Sequence, residues 1–142
     1  MIRTETDYKR AVRERDEQAK RLKAQEQRLK KEGLGRAEMK RAMDPVRSFH
    51  QNLVEEIRVY EALKRGDLRA VSRLGTLGQQ MVGLRIAKGF SQRDLAARLG
   101  VHESQVSRDE RNEYHGLTLE RAGRIMEALG VRLVSSYVPV SA

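Results

Sequence analysis

The sequence predicts a mainly α protein in two parts. An N-terminal antiparallel helical hairpin occupies residues 1–66, and a compact helical domain closing with a short strand occupies residues 76–142, with a connector at 67–75. Three observations carry this reading. The first 66 residues mix 18 Lys+Arg with 12 Asp+Glu around a sparse apolar stripe broken once, at Gly33-Leu34-Gly35. After Thr76, apolar residues recur at helical spacing between capping signatures and glycine stops. The final VRLVSSYVPV is instead rich in β-branched residues, which favour extended backbone.

The hairpin's first helix is expected from Thr4 to about Glu32, a run of good helix formers with an apolar face of Tyr8, Val12, Ala19, Leu22 and Leu29. So narrow a stripe suits a two-helix seam better than a globular core, with i,i+4 charge pairs supporting the exposed face. The second helix carries Val46, Phe49, Leu53, Ile57, Tyr60 and Leu63. Two starts fit it: Asp44 as N-cap with Pro45 at the first helical position, or a start near Arg36 with Pro45 as an internal kink. A lone hairpin this polar buries little surface, so a second copy is expected to pair with it through Val46, Phe49, Leu53, Ile57 and Tyr60. The alternatives are a single frayed charged helix, or dimerisation through strand Val131–Val138.

In the connector, Leu68, Val71 and Leu74 share a side without defining an element. Thr76 with Gln79 reads as a capping box opening a helix through Met81, Leu84 and Ile86 to Gly89; Ser91 with Asp94 opens Gln92–Leu99. A third helix fits Glu103 to about Asn112, and a fourth runs from Thr118 through Ala122, Ile125 and Met126 to Gly130. The methionines are expected as packing residues.

Composition bounds the function. The net charge is +9, with 35% charged, 39% hydrophobic and 4% aromatic residues. Residues 67–142 add +3 to the hairpin's +6, so both parts are basic and an anionic partner is expected. Cysteine is absent, which removes disulfides and thiolate chemistry. No apolar run reaches the roughly 18 residues of a membrane span and the start lacks a secretion signal, so no membrane association and a cytoplasmic, bacterial location are expected. His50, His102 and His115 lack acidic neighbours at metal-ligand spacing, and no phosphate-binding glycine loop, GxSxG or HExxH occurs. No enzyme activity, metal or cofactor is expected.

The informative stretch is SQRDLAARLGVHESQVSRDE, Ser91–Glu110. Ala96 is small where two crossed helices meet, Gly100 suits the positive φ of a tight inter-helix turn, and Leu95, Leu99, Val101 and Val106 fill the wedge. Such a unit exposes one face of its second helix, whose diameter fits the major groove of DNA.

The segment Leu77–Leu133, with LRIAKGFSQRDLAARLGVHESQVSRDERN as its signature and TLERAGRIMEALGVRL as a fourth helix, resembles the Xre/Cro family of helix-turn-helix domains, which implies a lambda-repressor-like fold. The wider layout, carried by MIRTETDYK and EEIRVYEAL, is similar to small bacterial regulators including HigA-type antitoxins. Two departures stand out: Asp109 where an apolar residue is usual, and His102 in place of a Ser or Thr N-cap.

The resemblance implies a DNA-backbone contact and a bracing role for Gln92, with Arg93, Arg85 and Lys88 beside it and Arg111 and Asn112 in the following loop. It implies base reading by Glu103, Ser104, Gln105, Ser107 and Arg108. Arg108 has the chemistry to grip guanine, Gln105 adenine and Glu103 cytosine, each good pair discriminating by about 1–3 kcal/mol. The function expected is a dimeric, sequence-specific regulator of double-stranded DNA, a repressor or antitoxin acting on a palindromic operator. Two other readings are a protein-interaction module whose hairpin grips a toxin, and sequence-independent coating of nucleic acid.

Overall fold

A computed structural model describes residues 1–68 and 76–134 of the chain. The chain divides into two compact units, Met1–Arg65 and Gly66–Ala142. Among the described residues all regular structure is helical: α1 (Glu5–Lys31), α2 (Arg36–Lys64), α3 (Leu77–Ala87), α4 (Gln92–Leu99), α5 (Glu103–Arg111) and α6 (Leu119–Ala128). No helix of the described residues is long and apolar enough to cross a membrane.

In the first unit, Thr4 caps α1 by accepting from the Asp7 amide at 3.1 Å. Gly33, at φ 78°, reverses the chain. The Gly35 amide then donates to Glu38 Oε2 at 3.0 Å and opens α2. This settles the start of the second helix, because α2 is continuous from Arg36 and Pro45 lies within it. The two helices run antiparallel, as the cross-pairs require. The Tyr8 and Tyr60 rings stack at 5.1 Å, Tyr8 donates to Glu61 at 2.7 Å, Lys64 pairs with Glu5 at 2.9 Å, and at the other end Arg47 pairs with Glu26 at 3.2 Å.

Two sequence expectations change here. On α1 it is Ala11, not Val12, that is buried, and Ala19 is exposed. The proposed dimer seam also splits. Ile57 and Tyr60 are buried, together with Met43, and Leu53 is half-buried, whereas Val46 is 38% and Phe49 64% exposed. At 3.6 residues per turn, Met43, His50 and Ile57 form one stripe; Tyr60 and Phe49 both lie off it to the same side, and Tyr60 is covered there because it stacks on Tyr8. Ile57 and Tyr60 are therefore consumed inside the hairpin.

In the second unit, Thr76 is the N-cap of α3 but makes no side-chain cap bond, and Gln79 donates instead to Glu113 at 2.9 Å, so the expected capping box is not formed. The Ser91–Asp94 box is present, with both reciprocal bonds. Gly100, at φ 67°, supplies the left-handed turn from α4 to α5. His102 caps α5 through Nδ1, which accepts from the Ser104 amide at 3.2 Å, and Thr118 caps α6. The core gathers Met81, Val82, Ile86, Leu95, Ala96, Val106, Tyr114, Ile125, Met126 and Leu129. Val101 is 39% exposed, so it does not fill the wedge as expected. The C-terminal strand is not supported either: 131–134 pair with no neighbouring strand, and residues 135–142, like Val71 and Leu74 in the connector, lie outside the described residues.

Candidate nucleic-acid interface

The surface in question is the outer face of α4 and α5, and its geometry follows from what holds the inner face. Val106 and Glu110, one turn apart on α5, are both buried. Glu110 is fully covered, and its carboxylate accepts from Arg85 Nε at 2.5 Å, Arg85 Nη2 at 2.7 Å and Gln92 Nε2 at 2.8 Å. Arg85 also donates Nη1 to the Phe90 carbonyl at 2.7 Å. One carboxylate thus ties α5 to α3 and to the first residue of α4. Arg85 was expected on a DNA backbone; at 2% exposure it is instead part of this buried network.

With the inner face fixed, Ser104, Arg108 and Arg111, at i, i+4 and i+7, form one exposed row along α5. Arg108 Nε donates back to the Ser104 carbonyl at 3.3 Å, laying the guanidinium along the helix. Ser107 and Glu103 sit on the edge towards α4, both half-buried. Glu103 accepts from Arg93 Nε at 3.1 Å, joining two of the expected contact residues directly. Gln105 turns to the other edge, where it lines a pocket of about 340 Å³ together with Val101, Asp109 and Arg121. Lys88 and Asn112 are exposed. Gln92 is half-buried and combines its surface position with the bond to Glu110.

Local devices hold the edges of this face. The Ser91 hydroxyl and amide both donate to Asp94, which keeps its carboxyl below the usual Asp range. Arg98 lies 4.2 Å over the Phe90 ring and donates to the Ala128 carbonyl at 3.1 Å. Asp109, the departure noted in the sequence, pairs with Arg121 of α6. The loop beyond α5 carries Glu113 and Tyr114 at φ 51° and 55°, and Tyr114 is buried, which pushes its hydroxyl pKa up.

Sequence reasoning missed the Arg85–Glu110 pair. Part of the signal was available, because Arg85 stands four residues from Met81 in an otherwise apolar helical stripe and Glu110 stands one turn from Val106, the one apolar residue of its helix.

Comparison with known proteins bears on the same region. Residues 84–135, which include the end of α3 and all of α4 to α6, match a family model described as helix-turn-helix, of the Cro/C1 type, consistent with the Xre/Cro resemblance. No curated protein and no solved structure gave a significant match.

Proposed function

Starting from a Cro/C1-type helix-turn-helix over residues 84–135, we propose that this chain is a sequence-specific, double-stranded DNA-binding transcription regulator and not an enzyme, acting in the cytoplasm as a homodimeric repressor. The observation that carries the reading is the exposed Ser104–Arg108–Arg111 row on a helix whose inner face is locked by Glu110. Placed in a major groove, Arg108 reads guanine, with Ser104 and Ser107 beside it and Gln105 and Glu103 at the two margins. Lys88, Gln92, Arg93, Arg111 and Asn112 contact phosphates and fix the register. One such unit makes few contacts, so two copies reading half-sites about 34–36 Å apart on a palindromic operator give tight binding.

The dimer contact we assign to the exposed flank of α2, Val46 and Phe49, rather than to the whole seam expected from sequence. A 64% exposed phenylalanine in a unit this polar is the single observation that also favours the second reading, in which the hairpin binds a toxin.

Selection of bound duplexes from a random pool tests the proposal. Arg108→Ala should relax preference at one base position per half-site, whereas Arg93→Ala should weaken binding to all sequences alike. Equal losses on selected and random duplexes for both variants refute base reading by α5.

A further inference from the structure

The charge of the hairpin is unevenly placed. Residues 28–47, the loop end of the hairpin, hold seven Lys+Arg against three Asp+Glu, while the other 46 residues of 1–66 hold eleven against nine. At the loop end three cations are matched: Arg28 by Glu32 at 3.4 Å, and Lys30 and Arg47 by Glu26 at 3.0 and 3.2 Å. Lys31, Arg36, Lys40 and Arg41 are exposed, and among the described residues none has a carboxylate within ion-pair distance.

This arrangement works against the free fold. Arg36 is the first residue of α2, and Lys40 and Arg41 follow in its second turn, near the end where the helix dipole disfavours cations. Arg36 and Lys40 are also like charges at i,i+4. A shallow groove of about 560 Å³ runs along this face between Arg36, Lys40 and Arg47, with Asp44 as its one carboxylate.

The chemistry of the loop end selects among anionic partners. Residues 28–47 contain no aromatic side chain, so there is no platform on which single-stranded bases stack. Met43 is buried and Leu34 and Met39 are half-buried, leaving only Val46, at its margin, as an exposed large apolar residue. Protein interfaces rely on clustered aromatic and apolar anchors, and a single valine at the margin does not make such a cluster. Point charges on flexible stems match the phosphates of a duplex.

We propose that the loop end of the hairpin, through Lys31, Arg36, Lys40 and Arg41, is a sequence-independent grip on duplex DNA phosphates, separate from the surface of α5. The inference rests on the DNA-binding reading above and extends it to the first unit.

The test compares full-length chain with Lys31→Gln/Arg36→Gln/Lys40→Gln/Arg41→Gln on two probes, a long random-sequence duplex and a duplex enriched by the unaltered chain. Glutamine is a good helix former, and far-UV circular dichroism verifies that helix content is retained. The slope of log affinity against log salt should fall by about 3–4 per chain, so the loss between 50 and 200 mM salt shrinks by about a hundredfold, with base preference unchanged. An unchanged slope overturns the proposal and hands the loop end to an acidic protein, while α5 keeps its role. A reduced slope alongside an Arg108→Ala variant of unaltered preference supports the grip and overturns base reading instead. Failure of the unaltered chain to bind either duplex overturns both.

Discussion

Replacing Glu110 with Gln puts the largest single stress on the proposed interface without touching its surface. Glu110 is wholly buried and Arg85 nearly so, with side-chain exposures of 0% and 3%. The carboxylate is the acceptor for three donors at 2.5–2.8 Å. Glutamine preserves the volume but removes the charge, leaves one acceptor oxygen for three donors, and turns an amide NH₂ towards a guanidinium. Breaking one side of a buried pair costs about 3–5 kcal/mol, because the remaining charge stays desolvated. That is a large part of the 5–15 kcal/mol typical of a folded domain. Hydrogen exchange of the α4 and α5 amides reads the second unit separately from the hairpin, and protection should drop by about two to four decades. Arg85→Met/Glu110→Leu should recover most of the loss, since no unpaired charge is left behind. If the double variant is as unprotected as Glu110→Gln, or the single variant loses less than about tenfold, the ion pair is not what holds α5 and the reasoning fails.

Three further predictions rest on independent features. A Cβ on Gly78 would lie 1.8 Å from the Glu113 carbonyl oxygen and 2.7 Å from its carbon, so Gly78→Ala should destabilise by about 1–3 kcal/mol despite the helix propensity of alanine; a higher melting temperature would contradict the close approach. Asp94 has a depressed carboxyl, so its contribution is complete above the ordinary value of 3.8 and disappears as pH falls through its folded value. Carboxyl titration by NMR should find it below 3.8 and moving up in Ser91→Ala, and an unshifted titration removes the cap from the account. Phe49→Glu should leave helix content intact and convert a sedimenting dimer to monomer at micromolar concentration; a persistent dimer moves the contact off the α2 flank.

The sequence made some elements legible through chemistry that acts locally. The Ser91–Asp94 box, Gly100 at positive φ and the glycine break before α2 were all readable, because a cap or a left-handed turn needs particular residues within a few positions. The apolar stripe of α6, Ala122, Ile125 and Met126, was readable from helical spacing. Local rules were weaker where two partners compete: Thr76 and Gln79 fit a capping box on paper, yet Gln79 is claimed by Glu113, which is close only in the folded unit. Pro45 was undecidable locally, since a first-turn and an internal proline differ only in what lies upstream, and α2 begins at Arg36.

What the sequence determined by itself is the order and type of the helices, the uneven charge, and the Gln92–Arg111 pattern that points to DNA. Tertiary structure decided which side of each helix is spent inside the protein. It withdrew Arg85 from the surface and gave it to Glu110, turned Ile57 and Tyr60 into the hairpin, and left Phe49 outside. The physical reason is that helical periodicity fixes which residues share a face but not what that face meets. The stripe Val46–Phe49–Leu53–Ile57–Tyr60 keeps to about 80° of the circumference, yet Tyr60 is covered by the Tyr8 ring while Phe49, only about 20° from it in angle but three turns away, is exposed, so packing at each level of the helix chooses the covered part.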